Sequence, residues 1–119
     1  MSVDQPSRRY SGVTWHAKKW LVKFRCGGRD VNLGHFKDPE TAARVADFAR
    51  YLCFGLKPVN WHVNVGRPNF PPSVTNDFSR VLIISTLLRR GAVQVDVLRA
   101  RLAEYDAVAT QNAVSFAYG

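Results

Sequence analysis

The fold is decided by residues 19–36, which read KWLVKFRCGGRDVNLGHF. In the first part of this stretch the even positions hold Trp20, Val22 and Phe24, whereas the odd positions hold two lysines, a leucine and an arginine. Successive side chains of a β-strand point to opposite faces, so the alternation predicts a strand with one apolar and one basic face. The Gly27-Gly28 pair that follows predicts a tight hairpin turn into another strand.

Two more strands complete the predicted sheet. One runs from Ser11 to Trp15 and is joined to the strand at Lys19 by a slightly longer turn at residues 16–18. The other runs from Arg29 to Phe36. In that last strand the pattern predicts Val31, Leu33 and His35 on the apolar face and Asp30, Asn32 and Gly34 on the polar face. Three strands connected this tightly predict an antiparallel meander.

A helix is predicted directly after the sheet. Asp38 is a favourable N-cap, Pro39 suits the first helical position, and Gly55 is a natural C-cap. Between them, small apolar side chains recur at helical spacing, mostly alanines. Alanines allow a helix to lie close to a sheet, so we expect this helix to cover the apolar, aromatic face. The fold class is therefore α+β.

The C-terminal part of the chain has a different pattern and predicts a helical hairpin, with helices from Phe78 to Arg90 and from about Val95 to Val108. The side chains expected to face inward are Phe78, Val81, Leu82, Leu88, Leu98, Leu102 and Tyr105. So many apolar groups predict burial, either beside the first helix or against a second copy of the chain. We favour a homodimer through residues 76–108. The predicted organisation is a flexible basic arm (1–9), a sheet–helix domain (10–72) and a helical extension (73–119).

Charge is concentrated in the first part of the chain. The net charge of the 119 residues is +8. Residues 1–70 hold 12 basic and 5 acidic side chains, a net +7, and residues 71–119 hold 5 and 4, a net +1. A local positive field of this kind favours a polyanionic partner.

Composition excludes several classes of function. The chain is too short for an enzyme with a separate cofactor domain, and no catalytic or metal-ligand pattern is visible, so we expect no enzyme activity, cofactor or small-molecule substrate. No apolar run is long enough to cross a bilayer, so we expect no membrane partner. The two cysteines, Cys26 and Cys53, lack the Cys-x-x-Cys spacing of zinc sites and are interpreted as reduced thiols of an intracellular protein.

Residues 10–71 resemble the Apetala-two/ethylene-response-factor DNA-binding domain, which also occurs beside nucleases in mobile elements. The matching positions are Tyr10-x-Gly12-Val13, Lys19-Trp20, Arg25, Leu33-Gly34-x-Phe36, Glu40-x-Ala42-Ala43, Asp47, Ala49 and Asn69-Phe70-Pro71. The resemblance implies that the sheet enters the DNA major groove and that Arg25 contacts DNA. This chain lacks the arginines that plant members carry at the positions of Ser11, Thr14 and His16, so the plant target sequences do not carry over.

The candidate DNA-contacting residues follow from the basic face, its turns and the resemblance. They are Arg9, Ser11, Thr14, His16, Lys18, Lys19, Lys23, Arg25, Arg29 and Asn32. Arginine can bond both acceptors of a guanine edge, which suits Arg25. The lysines and Arg29 near the turns suit phosphate contacts. We expect Asp30 to pair with a neighbouring basic side chain, Arg29 or Lys23.

The sequence predicts a protein that binds double-stranded DNA with a sequence preference, as a transcription factor or a DNA-binding accessory factor. We expect it inside the cell and associated with DNA, in the nucleus of a eukaryote or in the cytoplasm or nucleoid of a bacterium. A double-stranded-RNA-binding module is the alternative, because it also has three strands and an alanine-rich helix. That module needs a helix before its sheet and a lysine cluster at the start of its last helix. Here the sheet begins about ten residues into the chain and the helix begins Asp38-Pro39-Glu40, so both features argue against it. Two further hypotheses are the DNA-targeting part of a mobile-element nuclease or recombinase, and a partner-docking role for the tail.

Overall fold

The computed structural model describes residues 10–56, 68–73 and 80–118, with side chains as far as residue 113. Its strands and helices follow the predicted order, and the three-stranded antiparallel sheet has the strand order β1-β2-β3. The elements are β1 (Val13–His16), β2 (Lys19–Cys26), β3 (Arg29–Phe36), α1 (Pro39–Phe54), α2 (Arg80–Arg89) and α3 (Val95–Tyr118). The α+β fold class is confirmed.

Both hairpins close through two-residue turns. His16 pairs with Lys19 and Cys26 pairs with Arg29, so each loop has two residues. All four loop residues have positive φ: 52° at Ala17, 64° at Lys18, 59° at Gly27 and 76° at Gly28. Positive φ at both loop positions matches the twist of the flanking strands. The prediction of a longer first turn was wrong, because two residues with side chains adopt a conformation that usually favours glycine.

A β-bulge reverses the alternation in the second half of β3. Val22 pairs with Gly34 while Lys23 pairs with Asn32, so β3 has one extra residue at this point. Gly34 has a φ of +99°, and its N–H donates to the Asn32 side-chain oxygen at 2.9 Å. An extra residue shifts every later side chain to the opposite face. His35 is therefore exposed and Phe36 is half-buried, which corrects the prediction that His35 lies on the apolar face.

Helix α1 covers the apolar face of the sheet, as predicted. The Asp38 carboxylate accepts a hydrogen bond from the Thr41 N–H at 2.8 Å and caps the N-terminus. The Gly55 N–H donates to the Tyr51 carbonyl at 2.9 Å and ends the helix. Beneath the helix, Trp20 and Val22 are buried and Phe24 is half-buried against the Phe54 ring. The predicted orientation of β2 is confirmed.

A buried ionic cluster, which we call the clamp, attaches the start of β1 and residues 69–70 to α1. Arg50 donates to Asp47 at 3.0 Å and to the Ser11 hydroxyl at 2.9 Å. Asp47 also accepts from the backbone N–H groups of Asn69 at 3.0 Å and Phe70 at 2.6 Å. Gly12 allows the approach, because a Cβ there would lie 3.1 Å from the Arg50 guanidinium carbon.

The C-terminal helices pack on α1 within the same chain. Tyr105 and Leu98 of α3 are buried as predicted, and the Tyr105 ring meets the Phe48 ring edge-on at 5.0 Å. Arg101 donates to the carbonyl groups of Leu52 and Cys53 at the end of α1. Buried residues of α2 and α3 belong to the same hydrophobic cluster as those of the sheet and α1.

The predicted inward face of α2 was wrong. Val81, Leu82 and Leu88 are 78%, 56% and 37% exposed, and the buried residues are instead Ile83, Thr86 and Leu87. Apolar residues occur all around this helix, so its sequence does not select one stripe. Thr86 tolerates burial because its hydroxyl donates to the Leu82 carbonyl at 2.8 Å. Phe78 lies outside the described residues, and α3 extends beyond the predicted end at Val108.

Candidate nucleic-acid interface

The face of the sheet opposite α1, which we call the outer face, carries most of the predicted DNA-contacting residues. The exposed side chains on it come from all three strands: Thr14, His16, Lys19, Lys23, Arg25, Asp30, Asn32 and His35. The strand register places Lys23 directly opposite Asn32 and Arg25 directly opposite Asp30. The structure therefore brings two predicted residues, Lys23 and Asn32, together as a cross-strand pair, with Arg25 close by on the same face.

Arg25 lies at the end of the outer face nearest the β2–β3 turn. Its guanidinium donates to Asp30 at 3.4 Å and to the Gly28 carbonyl at 3.2 Å. The side chains of Arg25 and Asp30 are 70% and 60% exposed. Asp30 thus pairs with Arg25 rather than with the predicted Arg29 or Lys23. Water competes strongly for an exposed pair of this kind, so the arginine can exchange its partner at low cost.

Two histidines meet on the outer face. The His16 Nδ1 and His35 Nε2 atoms are 3.4 Å apart, and the ring centroids are 5.6 Å apart. One ring nitrogen donates and the other accepts, so the contact couples the tautomers of the two rings. Sequence reasoning placed only His16 here. The signal for His35 was the glycine before it, because an isolated glycine in a strand often marks a bulge.

The oxygen and the nitrogen of the Asn32 side-chain amide have different roles. Its side-chain oxygen accepts from Gly34 N–H and supports the bulge. Its amide nitrogen, on an exposed residue directly opposite Lys23, is a donor suited to a base edge or a phosphate. Thr14, two strands away and also exposed, offers a hydroxyl on the same face.

The turns place further positive charge at the two ends of the sheet. Lys18 is the second loop residue of the first hairpin, and Lys19 begins β2; both are exposed. Arg29 is exposed at the start of β3. Residues 10–36 contain five basic side chains and a single acid, Asp30. The outer face and its turns are therefore strongly positive.

Four predicted residues are not placed on the outer face. Lys18 lies in the first turn, and Arg29 pairs with the buried Cys26 and so shares the opposite face of the sheet. The Ser11 hydroxyl accepts from Arg50, and the Ser11 N–H donates to the Asn69 side chain at 2.8 Å, so this serine belongs to the clamp. Arg9 lies outside the described residues. Trp15 and Trp20 are not stacking platforms on the outer face, since Trp20 is buried and Trp15 packs edge-on against it at 4.9 Å.

Metal-ligating side chains are scattered in the described part of the chain, which contains no group of three or more histidine, cysteine or acidic side chains that could hold a metal ion. Among the residues that the structure describes, no helix combines the length and apolarity needed to cross a bilayer. Comparisons with models of protein families, with curated proteins and with solved structures found no match for this chain.

Proposed function

We propose that this chain is a non-catalytic protein that binds double-stranded DNA through the outer face of its sheet, with the sheet inserted in the major groove. The observation that supports this most is the excess of exposed positive charge on the sheet and its turns, since residues 10–36 hold five basic side chains and one acid. The resemblance of residues 10–71 to the Apetala-two/ethylene-response-factor domain supports the same docking mode. The corresponding biological role is that of a transcription factor or DNA-binding accessory factor acting inside the cell.

The dimensions of the sheet suit the major groove of B-form DNA. Neighbouring strands lie about 4.8 Å apart, so three strands are roughly 10 Å wide between their outer backbones. The major groove is about 12 Å wide and displays a distinct pattern of donors and acceptors for each base pair. In A-form RNA the corresponding groove is narrow and closed to side chains. This difference favours duplex DNA over duplex RNA.

The outer face divides into residues suited to bases and residues suited to phosphates. Arg25 and Asn32 stand on the strands, where donors can reach base edges. Lys18, Lys19 and Arg29 stand at the turns, where the two phosphate backbones flank an inserted sheet. The protein would therefore combine sequence preference with a large salt-dependent attraction.

The experiment is selection of bound duplexes from a random DNA pool with duplex RNA present as competitor, followed by binding titrations of three variants. Arg25→Ala should weaken binding to the selected duplex by about 1–3 kcal/mol and random DNA much less. Lys18→Ala should weaken both equally and flatten the salt dependence. Arg99→Ala, which removes an exposed charge from α3, is the control and should change little. Preferential recovery of RNA, or no enrichment of any duplex, would contradict the proposal.

The proposal also includes a homodimer through residues 76–108. The apolar surface left for a second copy is smaller than the sequence predicted, because part of it is buried within the same chain. The buried apolar side chains of α2 and α3 belong to the same core cluster as the sheet and α1, so a second copy would pack on those left exposed, chiefly Val81 and Leu82. Two linked modules would bind DNA more tightly through their effective local concentration. Sedimentation at micromolar concentration tests this, because Val81→Lys should convert a dimer into a monomer. A wild-type monomer would exclude the dimer and leave the DNA-binding proposal standing.

A further inference from the structure

The loop between α2 and α3 lies against the β2–β3 hairpin. The Cys26 thiol donates to the Ala92 carbonyl at 3.4 Å. A Cβ on Gly27 would lie 3.5 Å from the same carbonyl oxygen, and a Cβ on Gly91 would lie 3.5 Å from the Arg29 Nε atom. Helix α2 itself packs against both α1 and β3. The loop is therefore held beside the end of the sheet that carries Arg25 and Arg29.

Helix α2 ends at this loop through a tight backbone cap. The Gly91 N–H donates to the Leu88 carbonyl at 3.1 Å, and the Ala92 N–H donates to the Leu87 carbonyl at 3.0 Å. Gly91 has a φ of +69°, which glycine adopts without a steric penalty. The turn fixes the position of the two residues before it, Arg89 and Arg90, relative to the hairpin.

Arg89 and Arg90 are exposed, and neither makes an ion pair with any residue that the structure describes. Arg90 is covalently adjacent to Gly91, so its Cα lies about 3.8 Å from that of the residue in contact with Arg29. Two other arginines of the tail differ. Arg80 pairs with Asp106 at 2.7 Å, and Arg101 donates to carbonyl groups at the end of α1. Arg89 and Arg90 are thus exposed and directly precede the loop that lies against the β2–β3 hairpin.

We infer that Arg29, Arg89 and Arg90 form one phosphate-binding surface, which extends the outer face beyond the β2–β3 hairpin and binds the backbone of the same duplex. This inference rests on the proposed function. It assigns the tail a direct role in DNA binding. Phosphate contacts from a second structural element would lengthen the bound site and fix the orientation of the sheet in the groove without reading sequence. The competing interpretation is a purely structural role, favourable charge at the C-terminus of α2.

The test measures the salt dependence of DNA binding for Arg89→Gln, Arg90→Gln and the double variant, using the selected duplex and a scrambled one. Each phosphate contact contributes about 0.9 to the slope of log affinity against log salt concentration. The double variant should therefore lower the slope by between about 1 and 2 and weaken both duplexes about tenfold or more at 0.1 M salt. Arg99→Gln is the matched control, because it removes one exposed arginine charge from the same tail.

The outcomes separate this inference from the proposed function. If the wild-type chain binds no duplex, the proposed function fails. If the wild type binds but each of the two single variants leaves the slope unchanged, or changes it no more than Arg99→Gln does, the inference is overturned and the proposed function stands. Thermal unfolding of the variants checks that the effect is local, since exposed substitutions should leave the melting temperature within about 3 °C of the wild type. A lower slope accompanied by a fall in melting temperature of more than about 8 °C would support the purely structural role of the arginines.

Discussion

Two arginine–aspartate pairs of this chain have the same chemistry and opposite surroundings. Arg25 and Asp30 face each other across β2 and β3 at 3.4 Å, with side chains that are 70% and 60% exposed. Arg50 and Asp47 lie three residues apart on α1 at 3.0 Å, with side chains that are 1% and 5% exposed. The first pair lies on the proposed DNA-binding face, and the second lies within the clamp.

Burial changes what each pair can do. Burial raises the pKa of the Asp47 carboxyl, whereas hydrogen bonds from Asn69, Phe70 and Arg50 oppose that shift. Those donors must stay in place, because a buried charge without partners is costly. The exposed pair is already solvated, so Arg25 can leave Asp30 for a base or a phosphate with little loss. The comparison predicts stability effects for the clamp and binding effects for the outer face.

The largest expected effect is on stability at the clamp. Arg50→Met removes the partner of a buried carboxylate and should lower the free energy of unfolding by about 3–5 kcal/mol. Arg50→Lys keeps the charge but loses part of the forked contact with Ser11 and Asp47, so an intermediate loss is expected. Urea denaturation followed by circular dichroism measures both variants.

The matched control makes the same chemical change at the exposed pair. Arg25→Met should alter the free energy of unfolding by less than about 1 kcal/mol. Comparable losses for Arg50→Met and Arg25→Met would show that burial does not distinguish the two pairs.

An aspartate can be exposed and still stabilise the fold, and Asp38 shows how. Its carboxylate accepts from the Thr41 N–H and the Thr41 hydroxyl, both at 2.8 Å. Asp38→Ala removes this N-cap and should cost about 1 kcal/mol of unfolding free energy at pH 7. The effect should be smaller than that of the clamp because no buried charge is left behind.

The effect of Asp38→Ala has a defined pH dependence. The hydrogen bonds from Thr41 lower the pKa of Asp38 below its ordinary value of 3.8. Because the folded pKa lies below the unfolded one, the stabilisation is present above pH 3.8 and is lost as pH falls through the folded pKa. The difference between wild type and Asp38→Ala should therefore be constant from about pH 7 to 5 and shrink below about 3.8. An undiminished difference at about pH 2 would show that ionised Asp38 is not the cap.

The sequence was sufficient to predict which face of the sheet carries Arg25, but not that Arg25 pairs with Asp30. Alternation in β2 predicted that Arg25 faces away from α1, because Trp20 and Val22 must be buried beneath the helix. Asp30 was expected to pair with Arg29 or Lys23. The two-residue turn decides the pairing, since it places Arg25 directly opposite Asp30. The bulge at Gly34, which exposes His35, depends likewise on cross-strand register, and a period-2 pattern in one strand does not contain that information.

The clamp could not be predicted from local patterns. Its members are separated by up to 58 residues, the distance in sequence between Ser11 and Asn69. Polar residues at such separations show no periodicity that links them. The prediction of the inward face of α2 failed for a related reason, since packing against α1 and β3 buries Ile83 and Leu87 of a helix with apolar residues on every side. Long-range packing, not propensity, determined these features.

The smallest effect on stability is expected at Asp30, where the comparison is tested most directly. Asp30→Asn removes one member of an exposed pair and should change the free energy of unfolding by less than about 1 kcal/mol. The more informative effect of this substitution is expected on DNA binding. Asp30 is the only acid in residues 10–36, so its removal should strengthen binding to random duplexes several-fold.

Selectivity should fall in the same variant. Asp30 and the Gly28 carbonyl both accept from the Arg25 guanidinium, at 3.4 Å and 3.2 Å, and so favour one orientation of it in the unbound protein. Without the carboxylate, Arg25 loses this orientation and must be ordered on binding, which costs side-chain entropy. Titrations of selected and scrambled duplexes should show a smaller affinity ratio for Asp30→Asn than for wild type. Asp96→Asn, an equal charge change on α3, should leave that ratio intact; if both variants behave alike, Asp30 acts through net charge and does not position Arg25.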